Sequence, residues 1–321
     1  MSNILVTAIG SYSAEAVIQS LRSNFQVCVV GCDIYPASWV AASVLVDRFY
    51  QISISYESEN YIKELVRICK KENISHILPL TDPEIDILAM HRHVFEGNSI
   101  VLCMTGNSSI GICRDKFTVF EYFRTNSHVN VIPTCECAAF SELEFPFPVI
   151  AKPRKGRSSE GVMVFKNADE YAYQHFPLDN YILQPLYSGE VYTADFVRNR
   201  KNGKIVSVAR KELVRTKNGA GLTVEIVDNE TLRHHCQIIG DSLDIHGCVN
   251  CEFMFYAGKY YLMDINPRFS AGIAFSLLAG YDMVRNHLHC FMGQDIEDAH
   301  ELTLSVITRK YVEIIVNQGQ A

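Results

Sequence analysis

Asn250-Cys251-Glu252-Phe253 and, beyond a turn at Ala257-Gly258, Met263-Asp264-Ile265-Asn266-Pro267-Arg268 set the reading of this chain. Val249 to Tyr256 and Lys259 to Ile265 are rich in aromatic and β-branched residues, and the intervening glycine supplies a turn, so both arms predict strands of one hairpin. Side chains alternate along a strand, which puts Asp264 and Asn266 on one face. Hairpin pairing brings Glu252 roughly opposite them. Two carboxylates side by side repel unless a cation lies between them. Hard oxygen donors of this kind suit Mg²⁺, which bridges a few side chains to phosphate oxygens. Arg268 beside them offers a planar fork for a phosphate. The plainer alternative is an acidic, solvent-facing hairpin with an arginine at its end.

Working outward, Phe147-Pro148-Val149-Ile150-Ala151-Lys152-Pro153 reads as a short buried strand closing on a lysine. A lysine there costs desolvation unless it meets an anion. Arg154 to Gly161 follows as a Gly/Ser-rich loop, then a strand at Val162 to Phe165. Such a loop presents backbone N–H groups to phosphate oxygens, although an ordinary hairpin loop has the same composition. Gly156 and Gly161 have the spacing of a Walker loop, but Val162-Met163 stands where Lys-Ser/Thr is required. The kinase pattern G-x-G-x-x-G is absent too. Upstream, Arg114-Asp115-Lys116 opens an amphipathic helix, with Asp115 at its start and Lys116 either solvated or in reach of a phosphate. Downstream, Tyr181 to Phe196 reads strand, connector, strand, with Pro185 breaking the ladder. A connector of that kind exposes backbone groups that suit an adenine edge, and Glu190 after it suits ribose hydroxyls or is a plain turn glutamate.

The order of these parts resembles the ATP-grasp superfamily: helix-start lysine, strand lysine, Gly/Ser loop, Q-P-L-Y-S-G-E connector, then E…D-x-N-P-R. The chain looks like a stand-alone carboxylate–amine ligase built as one ATP-grasp unit of the carbamoyl-phosphate synthase large subunit, and the resemblance covers nearly all of it. It implies that Lys116 and Lys152 contact nucleotide phosphates. It implies a loop of Gly156, Ser158, Ser159 and Gly161 folding over the β- and γ-phosphates. Gln184, Pro185, Leu186 and Tyr187 would line the adenine through backbone atoms, and Glu190 would bind ribose. Glu252, Asp264 and Asn266 would hold Mg²⁺, with Mn²⁺ as an alternative ion, and Arg268 would face the transferred phosphoryl group. Relatives more often carry Glu where Asp264 stands, so that ligand is a methylene shorter here. Arg215, and with less weight Arg210, would bind a substrate carboxylate or the phosphates.

The first hundred residues alternate strand and helix: strands at Ile4 to Ile9, Val27 to Asp33, Ile74 to Pro79 and Ile100 to Met104, with helices at Ala14 to Arg22, Tyr61 to Glu72 and Glu84 to His91. That alternation predicts a parallel sheet with packed helices. Of a dinucleotide G-x-G-x-x-G only Gly10 is present, which argues against NAD. Gly10-Ser11-Tyr12 and Thr81-Asp82-Pro83-Glu84 fall at strand ends, along the edge where open α/β sheets bind ligands. We expect that edge to help form the acceptor cleft, with Glu84 either capturing an amine or stabilising a helix N-terminus. A linker-like boundary falls at Thr105 to Ser109 and another near Glu142 to Pro148. The expected fold class is α/β plus α+β, a Rossmann-like domain at 1–108 followed by a two-lobed ATP-grasp module at 109–321, with a lid near 145–187. Ile273 onward and Met283 to Met292 read as helices, and Ser305 to Val316 as a closing strand.

Composition narrows the classes. A 48% hydrophobic and 20% charged chain of 321 residues has material for two or three cored lobes. No apolar run approaches the roughly 18 residues of a membrane span. The start, Met1 to Val6, enters a strand without a basic leader, so no secretory signal is expected. A net charge of −7 argues against a nucleic-acid surface. Eleven cysteines, mostly in apolar segments, suit buried thiols in a reducing, cytoplasmic setting. Cys248-x-x-Cys251 lacks a second pair for zinc. The expected activity is ATP- and Mg²⁺-dependent joining of a carboxylate, activated as an acyl phosphate, to an amine. The family habit adds an amino acid on one side and a homodimer. The rival reading is an ATP-binding regulatory or scaffold module. A biotin carboxylase is not expected from so short a chain.

Overall fold

The computed structural model describes residues 3–126, 128–137, 146–156, 160–173, 178–299 and 301–316. The chain begins with β1 (Asn3–Val6), α1 (Ala14–Asn24), β2 (Val29–Asp33), β3 (Arg48–Gln51), α2 (Ser58–Lys71), β4 (Ile74–Leu78), α3 (Asp82–Met90), α4 (Arg92–Glu96) and β5 (Val101–Leu102). The five strands form one parallel sheet in the order β3-β2-β1-β4-β5. Its central strands are apolar on both faces because helices cover both, as Ile4, Leu5 and Val6 at 0% exposure attest. The helix α3 starts with Thr81 and Glu84 in a capping box, with proline in the first turn. β3, missed in the sequence, is an edge strand with only intermediate burial and so carries no strong apolar pattern. Thr105 to Ser109, read as a linker, leads directly into a helix.

That helix is α5 (Asn107–Cys113), followed by α6 (Lys116–Phe123), β6 (Asn130–Val131), β7 (Cys135–Glu136), β8 (Val149–Pro153), β9 (Met163–Phe165), α7 (Ala168–Ala172) and β10 (Tyr181–Pro185). Strands β7, β10, β8 and β9 pair antiparallel in that order as a four-stranded sheet with its own small core. Next come β11 (Glu190–Arg198), β12 (Ile205–Arg215), β13 (Gly221–Val227), α8 (Glu230–Ser242), β14 (Gly247–Tyr256), β15 (Lys259–Asn266), α9 (Ile273–Leu278), α10 (Met283–Phe291) and β16 (Val306–Thr308). They build a seven-stranded sheet, β16-β13-β12-β11-β14-β15-β6. The closing strand is only three residues long, because Tyr311, Val312 and Ile315 lie exposed beyond it.

The two faces of this large sheet differ. Ala194, Phe196, Val249, Cys251 and Phe253 point to one face and pack under α8 with Leu232, Cys236 and Ile239. On the other face, Val197, Val206, Val208 and Cys248 pack with α9, α10 and α1 of the first domain. Further along the same strands that face turns polar, and there the site lies. Among the described residues no helix is long and apolar enough to cross a membrane.

Candidate active site

The hairpin β14–β15 turns at Ala257 and Gly258, both at positive φ (49° and 78°), which suits the right-handed twist of a two-residue loop. Its register sets Glu252 directly across from Asp264 and Asn250 across from Asn266. Between Glu252 and Phe253 the register shifts, leaving Met263 as an extra residue beside the site. β11 continues the row, because Thr193 pairs with Glu252 on one side and with Arg210 of β12 on the other. Asp264, Glu252, Thr193 and Arg210 therefore form one ladder across four strands.

Charge is packed tightly there. The Asp264 carboxyl is pushed up by loss of water and by Glu252, against the pull of the Lys116 ammonium. Lys116 Nζ stands 3.6 Å from Asp264 Oδ2, presented from the first turn of α6. Asp115 caps that helix by accepting from the amides of Phe117 and Thr118, as the sequence predicts. Arg215 Nη2 donates to Glu252 Oε2 at 2.8 Å. Lys152, the last-but-one residue of β8, reaches in from the smaller sheet. Desolvation lowers its pKa, while Asp264 and Glu252 act to raise it. Its ammonium donates to Gln184 Oε1 at 3.0 Å. With Gly156 and Glu160, these side chains line a cleft of ≈ 260 Å³ between the two antiparallel sheets.

Arg215, Asn218, Glu252 and Asp264 also wall a second hollow, which extends to Tyr12, Arg210, Asn266 and Arg268. A third hollow shares Tyr12, Asn218 and Arg268 with it and ends at Gly10, Ser11 and Thr81, at the carboxyl ends of β1 and β4. One trough thus runs from the sheet interface to the strand-end edge expected to form an acceptor cleft.

Several predicted residues lie elsewhere. Glu84 is buried, accepts from the Tyr61 hydroxyl at 2.9 Å and from Thr81, and is a structural cap, not a cleft residue. Asp82, one helical step away, reaches the trough instead and takes Arg268 bidentately at 2.9 and 2.7 Å. Gln184 turns its side chain to Lys152 and to Thr134 at 2.9 Å, and the Leu186 amide donates to Pro148 O within the sheet. The ring of Tyr187 stacks on Tyr256 with centroids 4.3 Å apart. Pro185 belongs to β10, and exposed Glu190 is bound by Lys211. None of Gln184 to Tyr187 or Glu190 lines the cleft in this arrangement. Gly161 has φ 71° and a Cβ there would meet Tyr181 Oη at 2.7 Å, so its glycine answers a local backbone demand. Ser158 and Ser159 lie outside the described residues.

Arg210 is buried between Asp195 (2.6 Å) and Glu212 (3.2 Å). Sequence reading set Asp82 on the strand-end edge without giving it a role, and gave none to Asp195, Glu212 or Thr193. For Asp82 a signal existed: Thr81-x-x-Glu84 is a capping-box pattern, which ties the glutamate back to Thr81 and leaves the buried aspartate to point the other way, to Arg268.

The donor set fits a hard divalent ion. Glu252 and Asp264 are oxygen donors face to face, and the cations now touching them, Arg215 and Lys116, are long flexible side chains that a nucleotide phosphate would draw off. Among the described residues no group of three His, Cys, Asp or Glu side chains converges, so phosphate oxygens, the Asn266 amide and water would complete the shell.

Residues 178–313 match a family model described as ATP-grasp in the biosynthetic pathway with Ter operon, and residues 4–103 match the PylC-like N-terminal domain. Among solved structures, biotin carboxylase of Campylobacter jejuni, crystallised as a β,γ-ATP complex, aligns with TM-score 0.76 at 16% identity over 95% of this chain and 74% of its own. N5-carboxyaminoimidazole synthetase of Staphylococcus aureus aligns with TM-score 0.74 at 16% identity, over 94% of this chain and 80% of its own. Rhizobium etli pyruvate carboxylase gives TM-score 0.75 and 17% identity over 92% of this chain, which spans only 29% of that larger enzyme. The fold, a parallel-sheet domain followed by antiparallel sheets enclosing a cleft, is the one these proteins share. The matches place an ATP-grasp domain at residues 178–313 behind a PylC-like N-terminal domain at residues 4–103.

Proposed function

We propose that the protein is an ATP- and Mg²⁺-dependent ligase that activates a carboxylate as an acyl phosphate and joins it to an amine. The observation that carries this reading is the cross-strand pair Glu252–Asp264, ringed by Lys116, Lys152 and Arg215 at one cleft. A module that only binds nucleotide does not need Arg268 in the adjoining hollow beside three aligned oxygen donors. When bound, the ion would neutralise charge between nucleotide phosphate oxygens; Glu252, Asp264 and Asn266 are the residues that would hold it.

The remaining work falls to the chain's own residues. Lys152 and Lys116 would meet the phosphates, the former with little solvent to compete. Freed from Glu252, Arg215 would turn to the phosphoryl group or the substrate carboxylate. Arg268, its donors held by Asp82 and Phe269 O, would keep a fixed positive charge beside the trough. Positioning and charge stabilisation suffice for phosphoryl transfer, so no nucleophilic side chain is needed. Closing the 154–161 loop over the cleft would exclude water and protect the acyl phosphate. The amine then displaces phosphate. Buried thiols such as Cys32, Cys103, Cys236 and Cys251 support placing the protein in a reducing compartment such as the cytoplasm.

The test is ATP-dependent phosphate release with Mg²⁺, screened against mixtures of amino acids and small carboxylates and read with product mass spectrometry. Release that needs a substrate pair, with a product one water lighter than their sum, is the expected result. Nucleotide binding without substrate-dependent turnover across the screen would return the protein to the binding-module reading.

A further inference from the structure

On the polar face of the large sheet one guanidinium serves two carboxylates. Arg210, itself buried, donates Nη1 to Asp195 at 2.6 Å and Nε to Glu212 at 3.2 Å. Asp195 is saturated, because Ser276 Oγ donates to it at 2.8 Å and Asn250 Nδ2 at 3.0 Å. Glu212 is not. Its Oε1 takes Thr193 Oγ1 at 2.8 Å and the arginine, while its Oε2 is buried and has no hydrogen-bond partner. The Glu212 side chain is 3% exposed. Asp195 and Glu212 share the Arg210 guanidinium, and Arg309 pulls on Glu212 through space while donating its Nη2 to Ala271 O, so Oε2 is left without a bonded partner in a place poor in water. A buried charge left in this way costs folding free energy unless a ligand compensates it.

The surroundings keep that oxygen available. Glu212 lines the hollow between the cleft and the first domain. The other arginines there are engaged, Arg215 with Glu252, Arg268 with Asp82, and Arg309 with Ala271 O and the rings of Tyr12 and Phe275. Gly221 lies against Oε2, where a Cβ would come within 2.4 Å, so glycine leaves that oxygen its room. The missing partner is therefore a cation brought from outside. A divalent ion calls for several oxygen ligands, and here a single carboxylate oxygen is on offer, beside a guanidinium that repels it. An ammonium needs only three acceptors in any rotation, and the Tyr12 and Ser270 hydroxyls wall the same hollow.

We propose that Glu212 is the recognition point for the amine substrate and that its Oε2 accepts from a primary ammonium group of an amino acid or a similar amine. This rests on the ligase reading and adds the place and charge of the second substrate. Glu212 lies on β12, two residues beyond Arg210, the residue in register with Thr193 of β11 and Glu252 of β14. Two strand spacings and that offset put it about 12 Å from the opposed carboxylates, room for an activated carboxylate between them.

The experiment uses the full chain and thermal unfolding without nucleotide. The probes are the proteinogenic amino acids, β-alanine and putrescine, each beside its N-acetylated form. At saturation at least one free amine raises Tm by about 3 °C or more, its N-acetyl form does not, and Glu212→Gln removes the response. Glu212→Gln alone, which keeps an oxygen for Thr193 and Arg210 and removes the buried charge, melts at or above the wild-type temperature and keeps its response to MgATP. The proposal is overturned if no free amine in the set stabilises the wild type, if Glu212→Gln responds as wild type does, or if Mg²⁺ alone gives the Glu212-dependent shift. Should Glu212→Gln not fold, the wild-type contrast between amine and N-acetyl forms and the variant Gly221→Ala, which presses a methyl group onto Oε2 and should weaken the response, decide the matter. An amine shift lost in Glu212→Gln without any ATP turnover would sink the ligase reading and leave the ammonium site standing. Turnover whose amine KM ignores Glu212 would do the reverse.

Discussion

At the scale of the residue, Asp264 and Lys152 are the two groups whose environments are most at odds with their charge. Desolvation and Glu252 push the Asp264 carboxyl up, and desolvation pulls the Lys152 ammonium down. Both tensions would be relieved, on the proposed reading, by a divalent ion on one side and phosphates on the other. Asp264→Asn or Lys152→Ala should therefore lower ATP turnover by about 10²–10³-fold, the usual cost of losing one charge-stabilising group. Neither should lower Tm by more than about 2 °C, because each removes an uncomfortable charge and leaves the hairpin and β8 intact. Steady-state phosphate release and thermal melts check this, and unchanged turnover in both variants would sink the assignment. Residues of this kind were legible in the sequence because alternation fixes which carboxylates share a face. Glu84 and Asp82 were not told apart, since both sit in one helical turn and only the capping geometry decides which is tied back to Thr81. Glu212 was invisible for another reason. Its significance is a missing partner, and sequence gives no account of what a side chain lacks.

At the scale of the element, the hairpin and the strand–helix alternation of the first hundred residues came through because their periodicities are strong. The short pieces did not. β3 is a half-exposed edge, the expected closing strand shrinks to β16, and a Gly/Asn/Ser stretch that reads as linker is a helix start, the same residues serving both purposes. One element contact makes a pH prediction. His287 on α10 is buried, takes the Cys248 amide of β14 on Nδ1 at 2.7 Å and gives Nε2–H to Cys103 O at 3.1 Å. Burial holds its pKa down at about 3. Its neighbours include His246, Phe269 and Phe291, none of which supplies a negative charge. The unfolded chain protonates this histidine near pH 6.5 and the folded protein does not, so its contribution is complete above pH 6.5 and declines as pH falls towards 3. The slope is at most about 1.4 kcal/mol per pH unit for this one proton. His287→Asn keeps an acceptor for the amide without a titrating ring. Urea unfolding between pH 4 and 7.5 should show the variant losing less stability over that range than the wild type, and parallel curves would show that His287 is not the group responsible.

At the scale of the whole molecule, the first domain and the end of the hairpin meet, among the described residues, through one charged node. Arg268 follows β15 directly, and both its ends are spoken for: Nε and Nη2 by Asp82 at the start of α3, Nη1 by Phe269 O at 3.0 Å. Asp82 is 1% exposed and is also approached by Arg114 at 3.5 Å, which is itself bound bidentately to Asp86 at 2.9 and 3.0 Å. Removing one partner of a buried pair strands the other, at a cost of about 3–5 kcal/mol where no water can reach it. Here the trough lies open beside Arg268, so a released guanidinium would swing into it and the loss should appear mainly as function. Asp82→Asn should then lower turnover while nucleotide affinity holds, because Asp82 reaches no part of the cleft that contains Lys116 and Lys152. If the aspartate acts only by orienting the arginine, Asp82→Asn adds nothing once Arg268→Gln is present, and the double variant turns over no more slowly than the arginine variant alone. Independent roles would give losses that multiply. A full double-mutant cycle on phosphate release, with nucleotide affinity measured for each variant, separates the two cases, and multiplied losses would show that the first domain touches the chemistry through Asp82 itself and not through the fork it holds.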